Sequence, residues 1–189
     1  MNKLLLKGIL LTGIILIFSS MAFAAGPASI YKVQISKFEL HNGTNWITVF
    51  EGTSSTLDIA AVSAGSSAGN FFSGISVPDG TYTQARVTPS PTFIISGNDG
   101  ANYTTAAVGA GGGSTPGTAA QQAECTITLT GASIPTVSDP QDFSATPITV
   151  KDGVANHKVR VSFNVSAAVQ LQGDGLLYPA QPTVALSIQ

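Results

Sequence analysis

The sequence predicts an all-β chain folded as a single sandwich of antiparallel strands, and three observations predict it. Apolar and polar residues alternate with period two through most of residues 25–189, no window sustains a 3.6-residue apolar period, and the short runs are separated by turn residues. Many short strands with regular turns and few helix signals give a sandwich or a closed barrel, because each strand then has one face to bury and one to leave wet.

Taken in order, the first strand runs over 31–40. Tyr31, Val33 and Ile35 share one phase while Phe38 and Leu40 share the other, so one extra residue near Ser36-Lys37, a β-bulge, restores the inward face. Asn42-Gly43 then separates this strand from the apolar run 46–50, which is a hairpin signal. Further strands are expected at 56–61, 71–77, 81–88, 92–96, 124–130, 147–151, 157–165, 168–172 and 183–188. The turn Pro78-Asp79-Gly80 has a mechanism, since proline fixes φ and glycine tolerates a positive one. Strand 157–165 alternates most clearly. Val159, Val161, Phe163 and Val165 are expected inward, with Lys158, Arg160, Ser162 and Asn164 outward into water.

Two stretches break the pattern. Residues 97–123, rich in Gly, Ala and Thr and including Gly111-Gly112-Gly113, read as a flexible surface loop; the Lys and Ser/Thr of a phosphate-binding loop are missing. Residues 131–147, marked by Pro135, Pro140 and Pro147, read as a crossing from one sheet to the other.

Residues 1–24 carry Lys3 and Lys7, an apolar run and a small-residue end at Ala22 and Ala24, the three regions of a secretory signal peptide. Cleavage is expected between Ala24 and Ala25. No cysteine stands there to accept a lipid, so an exported domain 25–189 without membrane insertion is expected, periplasmic or at the extracellular cell surface. That domain keeps six basic residues against ten acidic ones, a net charge of about −4, which gives nucleic acid no basic surface to bind. Charged residues are 10% of the chain, against about 25% in an average soluble domain, a hint of surfaces buried against neighbours. Cys125 is the single cysteine, so no internal disulfide forms, and its phase with Ile127 and Leu129 makes it a small core residue.

The chemistry-bearing residues form no recognisable set. His41 and His157 sit at a hairpin turn and a strand start, outside any nucleophile motif, and with Cys125 they have no zinc spacing. The acidic residues are scattered, so no glycosidase pair stands out. The chain is therefore read as non-enzymatic and without a cofactor. Calcium alone is left open, through Asn98-Asp99-Gly100-Ala101-Asn102 and through Asp139 with Asp142. Trp46, Tyr103 and Tyr178 are the aromatic candidates for ligand or partner contact, although Trp46 alternates with Thr48 and Phe50 and also reads as core or rim packing.

The order of several motifs adds a resemblance. Tyr31-Lys-Val-Gln-Ile-Ser-Lys-Phe-Glu-Leu-His41, Trp46-Ile-Thr-Val49, Leu57-Asp58-Ile59, Val77-Pro-Asp-Gly-Thr-Tyr-Thr-Gln-Ala-Arg-Val87 and Gly175-Leu-Leu-Tyr-Pro179 follow one another as in the bacterial domain of unknown function 4382, which the chain resembles. The resemblance implies an exported, often lipid-anchored β-sandwich with no established catalytic residues. This chain departs from it in lacking a lipidation cysteine and in its Gly-rich insertion.

In the central motif, Gly80 permits the turn and Tyr82 packs with its hydroxyl bonded. Arg86, expected on the same face as Tyr82, pairs with a carboxylate such as Asp58 or Glu39. The functional expectation is a structural or adhesive module, transthyretin- or immunoglobulin-like in fold, whose partners are envelope or extracellular proteins or copies of itself in a surface fibre. Either terminal strand, 30–40 or 183–188, is a candidate for exchange between chains. A carbohydrate-binding module, with a glycan as partner, is the alternative.

Overall fold

Alternation of side chains with short, Gly- and Pro-punctuated runs builds an all-β chain of several antiparallel sheets, consistent with a β-sandwich. The computed structural model describes residues 24–61 and 76–189. The expected signal peptide and most of the expected strand 71–77 lie outside them; Ser76 and Val77 carry no regular structure.

One half of the architecture is a ribbon of long, kinked strands. β2 (Ala28–Val33) and β3 (Ile35–His41) run antiparallel to β7 (Gln84–Pro89) and β8 (Thr92–Gly97), with Lys32 opposite Ile94 and His41 opposite Gln84. At the kink Ser90 N–H donates to Gln34 O at 2.8 Å, so the ladder continues where the strands bend. On one side β4 (Trp46–Glu51) and β5 (Leu57–Asp58) pair with β3 and β2. On the other, β11 (Cys125–Thr128) and β12 (Gln141–Asp142) pair with β8 and β7. The predicted bulge is present, the register slipping between Ile35 and Lys37 against β7. Ser36 Oγ donates to Thr88 O at 2.9 Å there. The hairpin at Asn42-Gly43 is present too. Asn42 Oδ1 accepts the Thr44 and Asn45 amides at 3.0 and 2.8 Å, and Gly43 takes φ +89°, which a side chain would resist.

The other half centres on a second long hairpin. β15 (Val159–Asn164) pairs with β18 (Thr183–Ile188), and β16 (Val169–Leu171) with β17 (Leu177–Pro179); Ala180 N–H donates to Ala168 O at 2.8 Å between the two pairs. β1 (Ala25–Gly26) borders β16, while β10 (Ser114–Gly117) and β9 (Tyr103–Val108) extend the sheet past β17. β6 (Gly80–Tyr82) pairs with β13 (Ile148–Lys151), which pairs with β14 (Val154–Ala155).

Two apolar clusters join these halves. Tyr31, Val33, Phe93, Ile95, Cys125 and Ile127 from the first ribbon meet Ala168, Val169, Leu177 and Tyr178 from the second. Leu40 meets Tyr82, Phe143, Ile148 and Val150, with Ile47, Val49 and Ala85 packed alongside. Apolar area removed from water at about 25 cal/mol per Å² is the main term holding such strands together, since no disulfide contributes.

Three expectations are corrected and one is located more finely. Residues 97–123 are not one loop. They carry β9, β10 and a single 3₁₀ turn at Ala119–Gln121, and Thr104 and Ser114 inside them are fully buried. Their hydroxyls replace the missing apolar side chains with hydrogen bonds: Thr104 Oγ1 donates to Ala123 O at 2.9 Å and Ser114 Oγ to Thr105 O at 2.8 Å. The expected strand 81–88 breaks at Thr83, whose amide donates to His41 O at 2.9 Å. Tyr82 therefore faces the core with Ala85, and Arg86 points the other way. The crossing expected within 131–147 falls at Phe143–Pro147, toward β13, after the stretch has first returned to the same ribbon at β12. Finally, Val161 is 44% exposed rather than inward: of the residues in its phase, Phe163 and Val165 reach the first cluster and Val161 does not.

Candidate functional site

The register of three strands assembles a charged and aromatic face that no single stretch of sequence contains. Glu39 stands opposite Arg86 across β3 and β7, and His41 opposite Trp46 across β3 and β4. Ile47, Val49 and Ala85 take the core side of these strands, so Glu39, Arg86 and Trp46 lie on the outer side.

Glu39 is the pivot. Its side chain is only 8% exposed, and its two oxygens are held by Lys37 Nζ at 3.1 Å and Arg86 Nε at 2.8 Å. The Arg86 hydrogen bond, against the cost of burial and with Lys37 adding to it, holds the carboxyl below the usual carboxylate range. The guanidinium carbon of Arg86 lies 4.0 Å from the centre of the Trp46 ring, a cation–π stack, and His41 leans on the same indole at 4.9 Å and 51°. Of the two carboxylates expected as partners for Arg86, Glu39 takes the role. Asp58 instead accepts the Tyr31 and Ala60 amides at 2.9 and 3.1 Å.

Trp46 is not a core residue, then, but a partly exposed ring stacked on Arg86. Tyr103 is half-buried on β9 and stands apart from this face. Tyr178 is buried, which corrects its reading as an exposed aromatic. Its ring packs where a Cβ on Gly113 would sit, and its hydroxyl lies 2.7 Å from Asp174 Oδ2 and 2.8 Å from Gly111 O. Burial and the adjacent Asp174 carboxylate push that hydroxyl's pKa up. The glycines at 111 and 113 thus make room for an aromatic side chain. Tyr82, 2% exposed, donates to Pro78 O at 2.8 Å across the Pro78-Asp79-Gly80 turn, and Asp79 in turn accepts the Asp152 and Gly153 amides.

Of the oxygens considered for calcium, those of Asp99 and Asp142 are used within their own turns. Asp99 accepts from the Ala101 and Asn102 amides and from Asn102 Nδ2, and Asp142 Oδ1 accepts from the Ser144 amide. Among the described residues no group of three or more His, Cys, Asp or Glu side chains is placed to hold a metal. Cys125 is buried with its thiol pKa pushed up, chiefly by desolvation.

A second surface feature lies on the β15–β18 pair. A shallow groove of about 680 Å³ runs beside it, lined by Pro27, Phe163, Val165 and Ala185 among others. Among the described residues no strand other than β15 borders β18, so one edge of β18 takes no backbone hydrogen bond from them. Sequence reasoning named 183–188 as a terminal strand; that it has no neighbour beyond β15 among the described residues follows only from the strand pairing. Strand 30–40, by contrast, is paired on both sides.

No helix among the described residues is long and apolar enough to cross a membrane. No family model, no curated protein and no solved structure matches the chain, so the resemblance to the domain of unknown function 4382 rests on the order of its motifs.

Proposed function

We propose that this chain is an exported, non-enzymatic β-sandwich module, transthyretin- or immunoglobulin-like in kind, that serves a structural or adhesive role at the cell envelope or outside it by pairing with copies of itself. The observation that carries this reading is the edge of β18. It is six residues long, contains no charge and no proline, and has no neighbour beyond β15 among the described residues. Proteins that stay monomeric blunt such edges with charges, proline or a covering element. The far side of β15, by comparison, carries Arg160 beside Lys158.

Antiparallel pairing of β18 with its own copy suits a two-fold axis. For the two sheets to join with both cores on the same side, opposed residues must share a face; of the registers that satisfy this and keep most of the strand paired, we take the one that puts Ala185 opposite Ala185 and Thr183 opposite Ser187, since it brings small side chains together. Thr183, Ala185 and Ser187 are exposed, and self-pairing opposes no like charges. The low charge content and the signal-like N-terminal segment support the same reading.

The test is the mass of the exported chain in sedimentation velocity from micromolar to near-millimolar concentration. Association that rises with concentration and is abolished by the double substitution A185K/S187K is expected. A strict monomer throughout overturns the proposal. The alternative, a carbohydrate-binding module, is favoured by one observation, the partly exposed Trp46 beside Arg86.

A further inference from the structure

We propose that the outer face of β3, β4 and β7 is a binding site for acidic polysaccharide, in which Arg86 takes a sugar carboxylate and Trp46 the apolar face of the ring. The proposal rests on the carbohydrate-binding reading and is independent of the pairing of β18.

Two features of the clamp point to an anionic ligand. Arg86 donates to Glu39 through Nε alone, so its terminal nitrogens have no protein partner among the described residues, although the side chain is 25% exposed. A guanidinium presents its donors as a planar fork that matches a carboxylate in two-pronged fashion. Here the plane is already fixed by the Nε bond on one edge and by the indole at 4.0 Å, so little freedom is lost when a carboxylate arrives. On this face Lys37 and Arg86 are matched by Glu39 and by Glu51, which stands opposite Lys37 across β3 and β4, so the open fork of Arg86 rather than a net charge is what draws a carboxylate.

The shape selects the class of anion. The residues sit on a sheet face rather than in a cleft, which suits a polymer laid along it more than a small molecule engulfed by it. An aromatic ring next to a carboxylate-binding fork matches a uronic acid, where an apolar C–H face and a carboxylate occur on one sugar ring. A neutral sugar would leave the fork unused.

Trp46 is the only tryptophan of the chain, so its fluorescence reports this face alone. Titration of the exported chain with oligogalacturonate is expected to change Trp46 emission saturably, and the change should weaken with added salt. Maltoheptaose should leave the emission unchanged. R86K, which keeps the charge and removes the fork, should weaken binding at least tenfold, and K37Q should weaken it less. Circular dichroism of each variant shows whether it is folded; if R86K is not, K37Q and the salt dependence carry the test. No change in emission up to millimolar oligogalacturonate overturns the proposal, as does equal binding of maltoheptaose. Equal or tighter binding of polyglutamate also overturns it, since the site would then take acidic peptides. Loss of self-association with this binding intact would sink the proposed function and spare this one; the reverse result would do the opposite.

Discussion

Glu39→Gln removes the charge of the clamp while keeping its shape. Breaking a fully buried ion pair from one side costs about 3–5 kcal/mol, but here the stranded cations are not fully buried. Arg86 is 25% and Lys37 33% exposed, so both can turn part of their charge to water. Hydrogen bonds to charged groups contribute about 1.5–3 kcal/mol, and the glutamine still offers one acceptor. A loss of about 2 kcal/mol follows, which for a domain of this size lowers Tm by about 4–8 °C.

The pH dependence separates this from a packing defect. Because the folded carboxyl titrates below its ordinary value of 4.5, the clamp's contribution is complete above that pH. It is lost as the pH falls through the lower folded value. Calorimetry of wild type and E39Q should therefore show the full gap at pH 7 and a closing gap in acid, as the wild-type carboxyl takes up its proton. A gap below about 0.5 kcal/mol at pH 7, or one that persists unchanged into strong acid, would refute the reasoning.

Other outcomes follow from single contacts. Tyr82→Phe deletes the hydroxyl that donates to Pro78 O and should cost about 1 kcal/mol in chemical denaturation, whereas Tyr103→Phe, whose hydroxyl has no partner among the described residues, should leave the midpoint unchanged. Cys125, buried and with its thiol pKa raised, should resist a thiol reagent in the native chain and react at once in denaturant; rapid native labelling would contradict its place in the core.

Much of the fold was legible where packing follows apolar alternation. The bulge near Ser36 could be found because the phase change between Ile35 and Phe38 is written in apolar residues; β11, β13 and β18 fall within the expected runs, and β8 exceeds its own by one residue. β9 and β10 were missed for the opposite reason. Their inward positions are Thr104 and Ser114, small polar side chains that pack by satisfying backbone groups, and periodicity of hydrophobicity is blind to that. Val161 was misplaced because alternation assigns a face without saying whether a second sheet covers it. The candidate site was half legible. Trp46 and Arg86 could each be singled out, and Glu39 named as a partner, but their stacking depends on the register of β4, β3 and β7, including the slip between Phe38 and Glu39. One residue of difference there would send Trp46 to the core face.

The central claim, that the chain builds assemblies through β18, is tested most directly by placing a cysteine on that strand. Cys125 is 1% exposed and will not interfere. With Ala185 opposite its own copy, Ala185→Cys brings two thiols within the roughly 3.5–4.5 Å Cβ spacing that a disulfide needs, while Thr149→Cys, exposed on β13, does not. Under mild oxidation the account predicts covalent dimers of A185C and monomers of T149C on a non-reducing gel. Monomers of both, or equal dimers of both, would contradict it.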